Sequence, residues 1–110
     1  MFLKLQKSAL FFIGILLAVN SYAWTNEGIV TEVMSHDGIH VIYTNLTDAP
    51  CSNPNPGVFY WPTSDEDARD IFSLVLAAMM SGKKIRVAHT GAGGCTGFGA
   101  ALVTHVRVLN

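Results

Sequence analysis

One helical segment stands among short runs of residues that alternate with the period of a β-strand. Apolar residues at helical spacing extend from Ala68 to Met80. The predicted helix begins at a cap on Thr63 or Ser64 and runs to about Ser81, and Gly82 follows its last turn. Because one helix cannot form a core alone, the remaining apolar residues must be buried by a sheet. The chain is therefore predicted to be mainly β with one α-helix.

Three strand patterns precede the helix and two follow it. The first two are joined by "HDG", a tight-turn signal that leaves no room for a helix between them. The order β-β-β-α-β-β predicts a five-stranded OB-fold-like barrel. In the last strand, strict alternation would place Thr104 and Val106 on one face and His105 and Arg107 on the other. The predicted strands are Gly28–Ser35, Ile39–Asn45, Val58–Pro62, Lys84–His89 and Ala101–Leu109.

The first 23 residues have the pattern of a secretory signal peptide. Lys4 and Lys7 precede an apolar run of eleven residues, and small residues occupy the two positions that a signal peptidase reads in "SYA". We therefore expect a signal peptide at 1–23 and one OB-fold-like domain at 24–110. The run is too short to span a bilayer comfortably, so the mature chain is expected to be periplasmic or secreted without membrane insertion.

Charge and cysteine content restrict the partners of the exported part. Residues 24–110 carry eight acidic and five basic side chains, so the basic footprint of a nucleic-acid-binding domain is absent. The chain's two cysteines, Cys51 and Cys95, both lie in this part. In an oxidising compartment, an intramolecular disulfide between them is the expected state.

The glycine-rich stretch "HTGAGGCTGFGA" is the strongest candidate for chemistry in the sequence. Ala100 and Ala101 stand where a P-loop has Lys and Ser or Thr, and a strand pattern follows instead of a helix. Cys95 and His89 are six residues apart, outside the two-to-four spacing of paired zinc ligands. "GCTGFG" does not resemble a nucleophile elbow. We therefore predict a non-enzymatic protein without metal or cofactor.

Two surfaces are candidates for recognition. The first is aromatic, because rings can stack on sugars, although alternation requires half of "VFYW" to lie in the core. The second is the helix, where residues outside the core stripe are also apolar. These are either a few exposed apolar residues or a contact with other subunits. The candidate ligand surface is Tyr43, Tyr60, Trp61 and Phe98, and the candidate oligomer residues are Leu74, Ala77, Ala78 and Met80.

Several features together resemble two related groups of exported proteins. These features are "WT" after the signal site, the segment "SGKKIRV" after the helix, and the Gly- and Cys-containing loop before the last strand. They are similar to short secreted proteins of gammaproteobacteria and, more distantly, to the B subunits of AB5 toxins of the subtilase cytotoxin and typhoid toxin type. The resemblance implies an OB-fold, ring-shaped pentamers with the helices around the pore, and glycan binding on the outer barrel.

The resemblance carries over no sugar-binding residue. Those toxin subunits have a sugar-contacting serine just ahead of the first strand, where this chain has Asn26, Glu27 and Gly28. The sequence therefore favours an exported, self-associating binding module for a glycan, similar to a toxin B subunit. The alternative is a periplasmic structural or inhibitor-like protein that binds another protein.

Overall fold

The fold is a six-stranded sheet with one helix packed against it. The computed structural model describes residues 23–51, 57–91, 95–96 and 99–110. The predicted class, mainly β with one helix, is confirmed, whereas the predicted number of five strands is wrong. The elements are β1 (Ala23–Trp24), β2 (Val30–His36), β3 (Ile39–Thr44), β4 (Val58–Pro62), α1 (Ala68–Ser81), β5 (Ile85–His89) and β6 (Ala101–Val108).

The extra strand is β1, which has only two residues and is the first in the chain. It pairs with β5 in antiparallel fashion, with Trp24 opposite Ala88, and the Thr25 N–H donates to the Val87 carbonyl at 2.8 Å. A two-residue strand has no alternation to detect, because its position depends on pairing with a distant segment. The predicted signal peptide lies outside the described residues apart from Ala23.

The strand order in the sheet is β1-β5-β6-β4-β3-β2. Strands β2, β3 and β4 form an antiparallel meander, β4 and β6 run parallel, and β5 pairs antiparallel with β6. The segment before β2 returns to β5, because Gly28 and Ile85 exchange two backbone hydrogen bonds at 3.0 and 2.8 Å. The two ends of the strand order therefore approach each other.

The turn between β2 and β3 is the one that "HDG" predicts. Asp37 and Gly38 have φ of 48° and 80°, which is the left-handed pair of a type I′ turn. The side chains of β2 and β3 are consequently in fixed register, with His36 opposite Ile39 and Met34 opposite Val41.

The helix ends where the sequence predicts but begins later. Gly82 has a φ of 69°, and the Lys83 N–H donates to the Ala78 carbonyl at 3.0 Å, which is a glycine C-cap. At the other end, the predicted caps Thr63 and Ser64 lie in turns. The N-cap is Asp67, whose side chain makes no capping hydrogen bond.

The main core lies between the helix and the inward face of the sheet. Trp61 and Phe59 are fully buried there, and the Trp61 Nε1 donates to the Ala68 carbonyl at 3.0 Å, which ties β4 to the first turn of the helix. The helix contacts both β2 and β6. Its buried residues are Ala68, Val75 and Ala78, with Ile71, Phe72 and Met79 packed at the margin.

Two β-bulges set which residues face this core. Thr31 is the extra residue in β2, and Thr104 is the extra residue in β6, opposite the step from Ala88 to His89. An extra residue reverses the facing of everything beyond it. Val103 and Val106 therefore both pack in the core, so the strict alternation expected for this strand is wrong.

Candidate functional site

The predicted aromatic surface is partly realised on the outward side of β3 and β4. Tyr43 lies opposite Val58, and Tyr60 lies opposite Val41, so the two tyrosines are diagonal neighbours on one face. Diagonal pairs of this kind are about 7–8 Å apart between backbones, within reach of aromatic side chains. Both rings are half-buried, which leaves part of each open to a ligand.

The other two predicted aromatic residues do not join this surface. Trp61 is 0% exposed and belongs to the inward core, so its assignment to the ligand surface is wrong. The reason is register: Trp61 follows Tyr60 directly, and adjacent residues of a strand face opposite sides. Phe98 lies outside the described residues.

A second, smaller apolar cluster supports the tyrosines on the outward side. Its floor is Val41, Val58 and Ala100, all buried, with Tyr43 and Tyr60 packed on them. We call the outward side of the meander the tyrosine face. Its residues are Met34, His36, Ile39, Val41, Tyr43, Val58 and Tyr60.

Two clefts adjoin on the tyrosine face, and Tyr43 lines both. The first is an apolar cleft of about 240 Å³ between β2 and β3. The second is a larger, more polar cleft of about 410 Å³, where Thr31, Glu32 and Thr47 present hydroxyl and carboxylate groups. The described linings are Met34, His36, Ile39, Val41 and Tyr43 for the apolar cleft, and Thr31, Glu32, Tyr43, Thr44, Asn45, Leu46, Thr47, Gly57 and Val58 for the polar cleft.

Internal hydrogen bonds fix the wall of the polar cleft. The Asn45 Oδ1 accepts from the Ile29 N–H at 2.7 Å, and the Thr44 hydroxyl donates to the Gly57 carbonyl at 2.9 Å. The Thr31 hydroxyl donates to the Tyr43 carbonyl at 3.2 Å. The Tyr43 hydroxyl has no hydrogen-bond partner among the described residues. Its ring is therefore held by packing, while its polar tip is available to a ligand.

The histidines are dispersed and take part in packing. His40 stacks on Phe72 at 4.4 Å between ring centroids, and its Nδ1 lies 2.7 Å from the Ser35 hydroxyl. His89 is buried, and its Nδ1 accepts from the Gly91 N–H at 3.2 Å. Burial lowers the pKa of both imidazoles, and the carboxylate of Asp48 partly opposes the shift at His89. Within the described ranges, no group of three or more His, Cys, Asp or Glu side chains could hold a metal ion.

The predicted disulfide is present and joins two loops. Cys51 and Cys95 are bonded with 5.7 Å between their Cα atoms. Cys51 is buried in the main core, whereas Cys95 is exposed. The bond ties the loop after β3 to the glycine-rich connection between β5 and β6, as expected for a protein of an oxidising compartment.

The helix exposes most of the residues predicted for self-association. Met80 is 78% exposed, Leu74 is 46% exposed, and Ala77 is also exposed. Ala78 is buried and cannot contact another subunit, so its assignment is wrong. The helix packs on β2 and β6 together, which buries Ala78 along with Ala68 and Val75.

Sequence reasoning missed a cationic surface on the outward side of β5 and β6. Arg86 and Arg107 lie directly opposite each other, and both guanidinium groups approach the Trp24 ring. The only signal was the position of Arg86 and Arg107 in alternating strands, which says nothing about which strands are neighbours.

Neither the apolar character of the helix nor similarity to known proteins assigns a function to the chain. None of the helices in the described part of the chain has the length and apolar character needed to cross a bilayer. The chain matches no family model, and no curated protein or solved structure matches it. Its function therefore has to be inferred from its surfaces.

Proposed function

We propose that the protein is an exported, non-enzymatic, carbohydrate-binding module whose ligand surface is the tyrosine face. The observation that carries this proposal is the position of Tyr43 between an apolar cleft and a polar one. A pyranose ring has an apolar face that packs on an aromatic ring and hydroxyl groups that need polar partners. The Tyr43 ring supplies the apolar contact, and Thr31, Glu32 and Thr47 supply the polar partners.

The donor set of the polar cleft supports binding over hydrolysis. Glu32 is the one carboxylate among the described residues that line it. Glycoside hydrolysis ordinarily needs two carboxyl groups at a set separation, one as acid and one as base or nucleophile. A single carboxylate among hydroxyl groups is suited to accepting hydrogen bonds from sugar hydroxyls.

The proposed architecture is an OB-type barrel. It is supported by the antiparallel meander of β2 to β4, the parallel pairing of β4 with β6, and the helix between β4 and β5. The contact between Gly28 and Ile85 supports closure of the barrel. β1 is then an addition to the five strands of the barrel. Such barrels bind oligosaccharides on the face of their second and third strands, which correspond here to β3 and β4.

A glycan array tests the ligand class. The mature chain is expected to bind a subset of glycans, and Tyr43→Ala is expected to weaken binding to the strongest of them at least about tenfold, since aromatic stacking and local packing are lost together. Tyr43→Phe should retain most of the binding because the ring remains.

Lys83→Ala is the matched control, because Lys83 lies in a different cleft with Glu27 and Leu109. No signal on the array, or equal binding by Tyr43→Ala and the unmodified chain, would reject the glycan proposal.

The apolar cleft favours a second candidate function. Met34 is 40% exposed at its rim, and its lining of aliphatic and aromatic groups also fits an apolar side chain of a partner protein. In that case the protein is a periplasmic structural or inhibitor-like protein. Binding of an exported protein with no binding to any glycan, lost in Met34→Ser and Tyr43→Ala alike, would select this function.

We further propose that the chain self-associates through the exposed helix face of Leu74, Ala77 and Met80, in a ring of the toxin B-subunit type. Exposed apolar side chains on one helix face are typical of subunit contacts. Native mass spectrometry is expected to find a homo-oligomer, a pentamer in the toxin-like case, which Leu74→Ser with Met80→Ser dissociates. Met34→Ser, which removes an exposed apolar side chain from the tyrosine face instead, should leave it intact. A monomer at protein concentrations on the order of 100 µM would reject self-association.

A further inference from the structure

Two like charges face each other on the outward side of the sheet. Arg86 on β5 and Arg107 on β6 are direct cross-strand partners, an arrangement that is unfavourable when nothing compensates it. In the described part of the chain, neither guanidinium lies within ion-pair distance of a carboxylate. The chain as a whole has more acidic than basic residues, so this local excess of positive charge runs against its net charge.

Trp24 holds these arginines in place. The Arg107 Cζ lies 4.8 Å from the centroid of the Trp24 ring, and the Arg86 Cζ lies 6.0 Å from it. The Arg86 Nε also donates to the Thr25 carbonyl at 3.0 Å. Cation–π contacts restrict the long side chains before any ligand arrives, which lowers the entropy cost of binding. The guanidinium groups retain further N–H donors for an oxyanion.

An apolar cleft begins beside this patch. His105 stacks against Trp24 at 5.9 Å and also lines a cleft of about 210 Å³ between β6 and the helix. The walls of the cleft are mainly the apolar side chains of Ile71, Leu74 and Val106. The N-cap residue Asp67, the helix residue Asp70 and the β6 residue Thr104 complete the lining with His105. The cationic patch and the apolar cleft are thus adjacent, and His105 lies between them.

We propose that this surface docks an acidic segment of a partner protein, with carboxylates on Arg86 and Arg107 and one apolar side chain in the cleft. The apolar walls favour a peptide over an acidic sugar, because sugar hydroxyls would lose hydrogen bonds there. Trp and Arg, the residue types of Trp24, Arg86 and Arg107, are also among those that dominate binding energy at protein interfaces. Asp67 and Asp70 line the cleft from the helix side, so they repel acidic residues toward the arginines.

This site is independent of the tyrosine face, because it uses other strands and other residues. It shares Leu74 with the helix face proposed for self-association, so a second subunit seated on Leu74 would compete with the peptide. The test uses the mature chain and a fluorescein-labelled peptide, EELEE, with fluorescence anisotropy at low salt. Saturable binding is expected, and Arg107→Gln is expected to weaken it at least about tenfold, because charge-assisted bidentate hydrogen bonds are lost. Arg69→Gln removes the same charge from the exposed helix surface and should change the affinity less than about twofold.

Arg107 is exposed, so its substitution should leave folding intact, as circular dichroism can verify. Arg86→Gln is a second variant with the same expected direction. The peptide EESEE is expected to bind more weakly than EELEE, because it lacks the apolar side chain.

Three results with the peptides would overturn the proposal. They are the absence of saturable binding, equal weakening by Arg69→Gln and Arg107→Gln, or equal affinity of the two peptides. Tighter, Arg107-dependent binding of a sulfated oligosaccharide would also overturn it, by assigning the arginines to a glycan.

Discussion

At the scale of single residues, the buried rings of Trp61 and His89 each form a hydrogen bond with the backbone through a ring nitrogen. Trp61 donates its one N–H to the Ala68 carbonyl, so burial leaves it satisfied. His89 accepts a hydrogen bond from the Gly91 N–H through Nδ1, and this fixes the first residues of the glycine-rich connection. Nδ1 can accept this hydrogen bond only when it carries no proton.

Folding stability is therefore expected to fall as the pH drops below 6.5. Burial lowers the pKa of His89 and His40 from 6.5 in the folded state, so the unfolded chain binds more protons in this range. The stabilisation is present above pH 6.5 and is lost as the pH falls toward the folded-state pKa values. Chemical denaturation followed between about pH 7.5 and about pH 5.5 measures the effect.

His89→Asn provides the matched comparison, since an amide oxygen can accept from Gly91 without titrating. It should reduce the pH dependence, and combination with His40→Asn should reduce it further. A denaturation midpoint of the unmodified chain that does not change over this range would contradict the prediction.

At the scale of elements, the two bulges decide what each strand presents to the core. Thr104 separates a segment of β6 whose odd-numbered residues face inward from one whose even-numbered residues do. If Thr104 took a regular place in the alternation instead of bulging, His105 and Arg107 would point into the core and Val106 into water. The cationic patch therefore depends on the bulge at Thr104.

Deletion of Thr104 is therefore expected to retain cooperative folding, because a regular β6 would keep His105 and Arg107 outward and Val106 inward in the same register with β5. Thr104→Ala keeps the residue count and should change the free energy of unfolding by less than about 1 kcal/mol. Thermal unfolding followed by circular dichroism compares the two variants. Loss of the cooperative transition in the deletion variant alone would show that Thr104 is not the extra residue of the bulge.

At the scale of the whole molecule, the disulfide joins the connection after β3 to the connection between β5 and β6. Cys51 and Cys95 are 44 residues apart in sequence, so the bond closes a long loop in the unfolded chain. A domain of this size forms a small core and depends strongly on such a covalent link.

Replacing both cysteines by serine is expected to lower the free energy of unfolding by about 4 kcal/mol, from the loop entropy restored to the unfolded state. Guanidinium denaturation of the oxidised chain and the variant measures the difference. Reduction of the unmodified chain should give a similar loss and serves as the control. A loss under about 1 kcal/mol would mean that strain in the folded state cancels the entropic gain.

Local chemistry accounts for the features that could be predicted. β4 spans the predicted residues, the "HDG" turn has the predicted positive φ values, and the helix ends at Gly82. Each depends on neighbours within a few residues: proline stops β4, glycine permits left-handed backbone, and a period of two or 3.6 marks each element. The pairing of the two cysteines followed from their number alone.

Contacts between distant segments decided the rest. β1 is a strand only because β5 lies beside it, and Trp61 rather than Tyr60 is buried because of the register of β4 with β3. The helix begins at Ala68, later than the predicted caps Thr63 and Ser64 imply, and the Trp61 Nε1–H donates to the Ala68 carbonyl. The sequence by itself determined the element types, the turns and the disulfide. The element types and turns depend on local interactions, and two cysteines can pair in only one way. The tertiary structure decided facing, bulges and the meeting of Trp24 with two arginines, because those depend on which strands are neighbours.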